Sequence, residues 1–221
     1  MQKTAIPLAH DLNPQNYQIA LDVARERFAA NQPEKMAELS GCIYNHQCSY
    51  FTVCCLNHPF TITYPLGLVT YKDSDLQPPF ALQLIMINYL ARADGIPLAY
   101  NYIPYRHLEG GQTYYGAFVK TAIEPLSKVF GQQPELLQTA AQPFGGVPLT
   151  GISGNAVLIY LLPRVPLLFQ IWAGDEEDGL PAQANILFDS TANHYLHTED
   201  LGACDLVSRL IMAQVKNSSN R

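Results

Sequence analysis

The sequence predicts an α+β protein folded as a single compact domain, in which an N-terminal antiparallel β-meander and a second strand-rich region pack with several helices. Three observations carry this reading. Apolar residues recur at helical spacing near both ends and in the middle of the chain, whereas Cys42 to Tyr71 is rich in β-branched and aromatic residues broken by turn signals. The 221 residues are 48% hydrophobic and only 14% charged, against about 25% charged in an average globular domain, which excludes intrinsic disorder. A chain of this length buries about 70% of its unfolded surface as one domain and needs no disulfide or structural metal.

The elements follow in order. Asn13 is a good N-cap and Pro14 a good first helical residue, and Tyr17, Leu21, Ala24 and Phe28 then align on one face, so residues 14–29 form a helix. A shorter helix starts at Pro33, joins Met36 to Leu39 and stops at Gly41, completing a helical stretch over about 14–40. The meander spans about 42–71, with turns at Asn45-His46, Asn57-His58 and Pro65-Leu66-Gly67. Phe60, Ile62 and Tyr64 share its buried face and Thr61 and Thr63 the solvated one. The helical middle covers about 79–142. Its first helix, 79–93, buries Phe80, Leu84, Ile87 and Ala91; a second, 114–131, is kinked or split by Pro125; a third opens at Pro134.

Strands return over about 155–189, as Asn155 to Leu162, Leu167 to Trp172 and Asn185 to Asp189. They are almost wholly apolar, which predicts a sheet covered by helices on both faces. Thr198 then caps a last helix over about 199–215 that carries Glu199 and Asp200 in its first turn and Leu206, Leu210 and Ile211 on its apolar face.

The formal charge of −6, from 13 Lys and Arg against 19 Asp and Glu, argues against a nucleic-acid partner. The most apolar stretch, Ala156 to Trp172, is interrupted by Pro163, Arg164, Pro166 and Gln170, so no membrane span is expected. No secretory leader is evident at the N-terminus, so the expected location is cytoplasmic, with the five cysteines kept as thiols.

No motif assigns a reaction. There is no G-x-S-x-G nucleophile frame and no phosphate-binding glycine loop. Cys42, Cys48, Cys54 and Cys55 lie close to His46 and His58, but an extended strand separates them too widely for one metal and sends Cys54 and Cys55 to opposite faces. Asp189, His194 and His197 have no recognised zinc spacing. Two segments stand out. Tyr100 to Tyr115 gathers five tyrosines around Arg106, His107 and Gly110-Gly111, either a concave stacking surface or rings packed in the core. Trp172 leads into Asp175, Glu176, Glu177 and Asp178, either a cation or salt-bridge site or a solvated acidic loop. Arg164, set among apolar residues, should be partly buried and require a carboxylate partner.

Tyr102-Ile103-Pro104-Tyr105-Arg106, Gly110 to Phe118, Pro125-Leu126 with Phe130-Gly131, Pro163 to Pro166, Trp172 to Glu177, Ile186 to Asp189 and Tyr195 to Asp200 occur in an order that resembles a prokaryotic family known as domain of unknown function 3786. The resemblance implies an anaerobic source and a setting in low-potential redox or corrinoid metabolism, and it brings no catalytic residues. After Glu177 the chain departs from the family pattern, continuing Asp178-Gly179-Leu180-Pro181 where Phe-Pro is usual.

The expected function is therefore a non-catalytic small-ligand or cofactor-binding accessory protein. Its pocket is expected to combine Tyr102, Arg106, His107, Tyr114, Tyr115, Arg164, Trp172, Asp175, Glu176 and Asp189. The cofactor is left unassigned. One alternative is a metal-dependent enzyme that uses Asp175, Glu176 and Asp189 with His107 or His194. Another is a structural protein with a homo-oligomeric or redox-enzyme partner, for which the low charge content leaves apolar surface.

Overall fold

A computed structural model of the chain describes residues 14–175 and 177–218. The chain runs α1 (Pro14–Ala29), α2 (Pro33–Ser40), β1 (Ile43–Asn45), β2 (Tyr50–Cys55), β3 (His58–Thr63), β4 (Val69–Tyr71) and α3 (Phe80–Arg92). It continues with β5 (Tyr102–Pro104), α4 (Gly111–Phe118), α5 (Glu124–Phe130), α6 (Leu136–Ala141), β6 (Val147–Leu149), β7 (Asn155–Leu162), β8 (Val165–Trp172), β9 (Gln183–Asp189), α7 (Thr198–Gly202) and α8 (Asp205–Ser218). The fold is α+β, and one continuous apolar core joins its parts. No helix among the described residues is long and apolar enough to cross a membrane.

The two strand-rich regions form two sheets. The first is the expected meander, ordered β1-β2-β3-β4, and the second is ordered β5-β9-β8-β7-β6; every pairing is antiparallel. Leu56 N–H, just past β2, donates to Leu161 O on β7 at 3.1 Å and stitches one sheet to the other. On β3 the alternation is as the sequence requires: Phe60 and Ile62 are buried, and Thr61 and Thr63 are half-buried on the other face. Gly41 ends α2 at φ 72°, the left-handed conformation that glycine adopts without a Cβ clash, and its N–H caps Ala37 O at 3.0 Å.

Several expectations are corrected. The two short edge strands β5 and β6 are too brief to leave a periodic signature. Helices α5 and α6 pack against one face of the second sheet, whose Val157, Ile159, Phe169, Ile186 and Phe188 are fully buried, and among the described residues no helix packs comparably against the other face. On the other face Leu158, Leu187 and Tyr102 are half-buried and Tyr160 is 37% exposed. The central strand β8 is nevertheless buried from Val165 to Ile171, because flanking strands on both sides shield it.

Pro125, expected to kink or split its helix, does not split it. The turn before it, Val119–Ile123, widens to π geometry, and Glu124 N–H donates five residues back to Val119 O. The wider turn accommodates the missing proline amide, so the chain stays helical from Gly111 to Phe130. The last helix is instead interrupted after Gly202, and His197 rather than Thr198 is the N-cap of α7. Asn13, the expected cap of α1, lies outside the described residues.

Cys54 is exposed and Cys55 buried, as their adjacent places on β2 dictate. Burial pushes the Cys42 thiol up to about 11 and those of Cys55 and Cys204 further up, so little thiolate exists there at neutral pH. A thiol-specific chromogenic reagent at pH 8 should therefore label Cys48 and Cys54 quickly in the native chain. Cys55 and Cys204 should react only when denaturant opens the core, and fast modification of all five thiols without denaturant would contradict this packing.

Candidate functional site

The residues expected to form one pocket are dispersed over at least three regions. At the first, Asp189 ends β9 fully buried, and its carboxylate accepts hydrogen bonds from Ala99 N–H (3.2 Å), Tyr100 N–H (2.6 Å), Thr191 N–H (3.0 Å) and the Thr191 hydroxyl (2.6 Å). Its role is to tie the 99–101 segment to the end of the sheet. Tyr102 pairs with it across β5 and β9, and burial, with the nearby Tyr160 and Asp189, pushes the Tyr102 phenol up to about 12.

The second region lies at the opposite end of the same strands. Trp172 pairs with Gln183, about 20 Å from Asp189 along the seven residues of β9. The Trp172 indole donates to Ser153 Oγ at 2.9 Å. Asp175 and Leu180 exchange main-chain hydrogen bonds at 2.8 Å, and the Asp175 carboxylate accepts from Glu177 N–H and Asp178 N–H at 3.0 and 3.1 Å. The acidic run is thus a self-capped exposed turn; Glu176 lies outside the described residues. No single metal at 2.3–2.6 Å reaches both Asp175 and Asp189, so the proposed carboxylate centre is not formed. Among the described residues, no group of three or more His, Cys, Asp or Glu side chains is placed to hold a metal ion.

Arg164 also departs from expectation. It is half-buried, but among the described residues no carboxylate lies within ion-pair distance. Its backbone N–H donates to Tyr89 Oη at 3.1 Å, and its side chain runs across the Cα of Gly41. His194 pairs instead with Asp94, Nδ1 to carboxylate at 2.5 Å; desolvation raises the Asp94 carboxyl, but the His194 bond and charge together with the Ile96 N–H donor offset it and hold the carboxyl below its usual range.

The tyrosines of the 100–115 segment separate. Tyr105 is buried, stacks on Phe118 with ring centres 4.3 Å apart, and donates to Thr198 O at 2.9 Å. Arg106 lies 5.5 Å over the Tyr115 ring, and His107 is exposed. Tyr114, on the next face of α4, donates to Glu199 Oε1 at 2.7 Å, a contact that raises its phenol. Gly111 permits the tight entry into α4, since a Cβ there would collide with Tyr105 O.

Tyr114 leads to the third region, a cleft of about 730 Å³ that unites groups from four parts of the chain. Helix α1 contributes Ala20, Val23, Ala24 and Arg27, and α3 contributes Leu84, Asn88 and Arg92, each set at helical spacing along one stripe. Glu109, Gly110 and Tyr114 form a second wall, and Asn193 with His197, Glu199 and Asp200 a third. Asn193 fastens the last two walls together: its Oδ1 accepts from Glu109 N–H at 2.9 Å and its Nδ2 donates to Thr198 Oγ1 at 2.9 Å. Thr198 donates in turn to Glu109 O.

The cleft side chains are held by polar partners. Arg92 Nη1 donates to His197 Nε2 at 2.9 Å and Nη2 to Asn193 O at 3.3 Å. Arginine only donates, so Nε2 of His197 accepts and its ring proton sits on Nδ1. Asn88 Nδ2 donates to both Asp200 oxygens, at 3.0 and 3.2 Å. Burial raises the Asp200 carboxyl, and the Asn88 bond only partly offsets it.

The sequence matches the family described as Domain of unknown function (DUF3786) over residues 32–208. The chain belongs to this family. No curated protein and no solved structure gives a significant match. Within the cleft, the α3, Glu109 to Tyr114 and Asn193 to Asp200 walls all fall inside the DUF3786 match, whereas α1 precedes it.

Of the described residues expected in the pocket, only Tyr114 lines this cleft; the 195–200 segment entered the sequence reading as a family motif and a helix start and not as part of the site. Sequence reasoning missed Arg27, Asn88, Arg92 and Glu109. The available signal was on α3, a largely apolar helix in which Asn88 and Arg92 stand one turn apart as polar residues, whereas its other amide, Gln83, is buried and donates to Pro78 O.

If Asp189 is a structural clamp, Asp189→Ala should lower unfolding free energy by at least about 3 kcal/mol, since four donors lose their acceptor at about 1–3 kcal/mol for each left unsatisfied. Urea denaturation measures this. A loss below about 1 kcal/mol would remove the clamp from the account.

Proposed function

We propose that this DUF3786 protein binds a small polar molecule, without transforming it, in the cleft between α1, α3, the Glu109 to Tyr114 wall and the Asn193 to Asp200 wall. One observation supports this most: two arginines, a histidine and three carboxylates from distant parts of the chain meet around a concave space of about 730 Å³, within the range of about 300–1,000 Å³ typical of small-molecule sites. An accessory role is favoured over catalysis because the titratable groups are engaged by one another or by amides: His197 with Arg92, Tyr114 with Glu199, and Asp200 with Asn88. The connection to low-potential redox or corrinoid metabolism rests on the family resemblance, and corrinoids and flavins therefore belong in the first screen.

Thermal-shift screening of metabolites, tetrapyrroles, corrinoids, flavins and metal ions, followed by calorimetry, tests the site. Val23 is 40% exposed and lines the cleft, so Val23→Trp should fill it while leaving the fold intact. Bound compounds should lose at least tenfold in affinity to Val23→Trp. Hits that bind this variant as well as the parent chain would place the ligand elsewhere.

A second reading, association with another copy of the chain, is favoured by the face of the second sheet on which, among the described residues, no helix packs closely. There Val147 is 54%, Tyr100 68% and Tyr160 37% exposed, and Pro104, Leu158, Leu168 and Leu187 on the same face carry no charge. Light scattering should then give twice the monomer mass, and Tyr160→Lys should return it to one chain. A parent protein that is monomeric at high micromolar concentration rejects the reading.

A further inference from the structure

Taking the cleft as a ligand site, we propose that its ligand is a zwitterion: an anionic group, carboxylate or phosphate, faces Arg27 and Arg92, and an ammonium group faces Glu109, Glu199 and Asp200.

The cationic end is built at the C-terminal ends of two helices. Asn31 Nδ2 donates to Arg27 O at 3.0 Å and to Ala91 O at 3.2 Å, which draws these ends together and sets Arg27 and Arg92 on the same side of the cleft. Neither guanidinium has a carboxylate within ion-pair distance among the described residues. The acceptors on Arg92 are an imidazole nitrogen and a main-chain carbonyl, both uncharged, and its Nε is buried without a partner. A planar guanidinium fixed in this way still has a second N–H on each of its two terminal nitrogens, which suits it to an incoming carboxylate or phosphate.

The acidic end starts one turn back along α3, about 6 Å away at 1.5 Å rise per residue, where Asn88 holds Asp200. Glu199 is oriented by Tyr114, and the backbone of Glu109 is fixed by Asn193 and Thr198. None of the three carboxylates has a cationic partner within ion-pair distance among the described residues. Each carboxylate offers about four lone-pair sites, so Glu199 and Asp200 can accept further donors in their present positions.

The opposite charges are thus held apart by neutral groups, His197 on one side and Asn88 on the other, and are not spent on internal ion pairs. A purely anionic ligand would meet three carboxylates and a purely cationic one two guanidinium groups. A molecule with both charges satisfies both ends. Ala20, Val23 and Leu84 supply apolar surface for the segment that joins them.

Calorimetry on the full chain with three probes of equal length, 6-aminohexanoate, hexanoate and hexylamine, tests the inference. The zwitterion should bind at least tenfold more tightly than either singly charged probe. Arg92→Gln should abolish its advantage over hexylamine, and Glu199→Gln its advantage over hexanoate; circular dichroism and melting temperature verify that both variants fold. A parallel titration with 5-aminopentyl phosphate distinguishes a phosphate from a carboxylate as the preferred anion. A singly charged probe that equals 6-aminohexanoate, no binding of either zwitterion, or zwitterion binding untouched by both substitutions overturns the proposal. A neutral compound that binds the parent chain and is excluded by Val23→Trp would overturn the zwitterion alone and leave the ligand site standing.

Discussion

The buried carboxylate of Asp189 is the contact on which the geometry of the cleft depends. Two stretches of chain leave its neighbourhood: residues 99–114, which pass through β5 to Gly110 and Tyr114, and residues 190–200, which pass through Asn193 to Asp200. By accepting from Ala99, Tyr100 and Thr191 at once, Asp189 fixes where both stretches start. Asn193 and Thr198 then close the loop between them at the far end. An anionic side chain enclosed in the interior is costly unless several donors compensate it. Two of those donors are on the far segment, so the same bonds that stabilise the charge also position the walls.

Helix α3 is the second organising element. Leu82, Ile85, Met86, Ile87, Tyr89 and Leu90 bury it on most sides, and Tyr89 Oη donates to Ser40 O at 2.5 Å while it accepts from Arg164 N–H. The phenol thereby joins α2, α3 and the β7–β8 turn at one point. Only one strip of α3 escapes this packing, and it carries Leu84, Asn88 and Arg92 into the cleft. A helix this enclosed has little freedom to rotate, so the amide and guanidinium are presented by a rigid support.

Much of the fold was legible in the sequence because its signals are local. The meander is marked by turn residues, α2 by Pro33 and Gly41, and α3 by its apolar density. What escaped depended on tertiary context. Three-residue edge strands have no period of their own, and the π turn before Pro125 is a response of the helix to an absent donor, which a rule about proline alone reads as a kink or a split. The expected pocket failed for a related reason. Chemically suggestive residues were grouped by kind, but Trp172 and Asp175 sit at one end of the β8–β9 pair and Asp189 at the other, and strand length keeps them apart. Tyr114 does line a cleft, but Arg92 and Asn88 beside it lie on a helix whose expected buried stripe is misplaced: Ile87 is buried, whereas Phe80, Leu84 and Ala91 are half-buried and Leu84 lines the cleft with them.

The manner in which charge is held separates the cleft from the acidic turn. At Asp175 the carboxylate is consumed by the amides of its own turn, so a cluster prominent in sequence becomes a local cap facing water. In the cleft, Arg92 is supported by imidazole and carbonyl and Asp200 by an amide, partners that fix direction without cancelling charge. If the arrangement served folding alone, a direct Arg92–Asp200 ion pair across one turn of α3 would satisfy both groups more simply. Keeping them apart leaves part of the available electrostatic stabilisation unused within the protein itself, and a ligand with complementary ends would recover it.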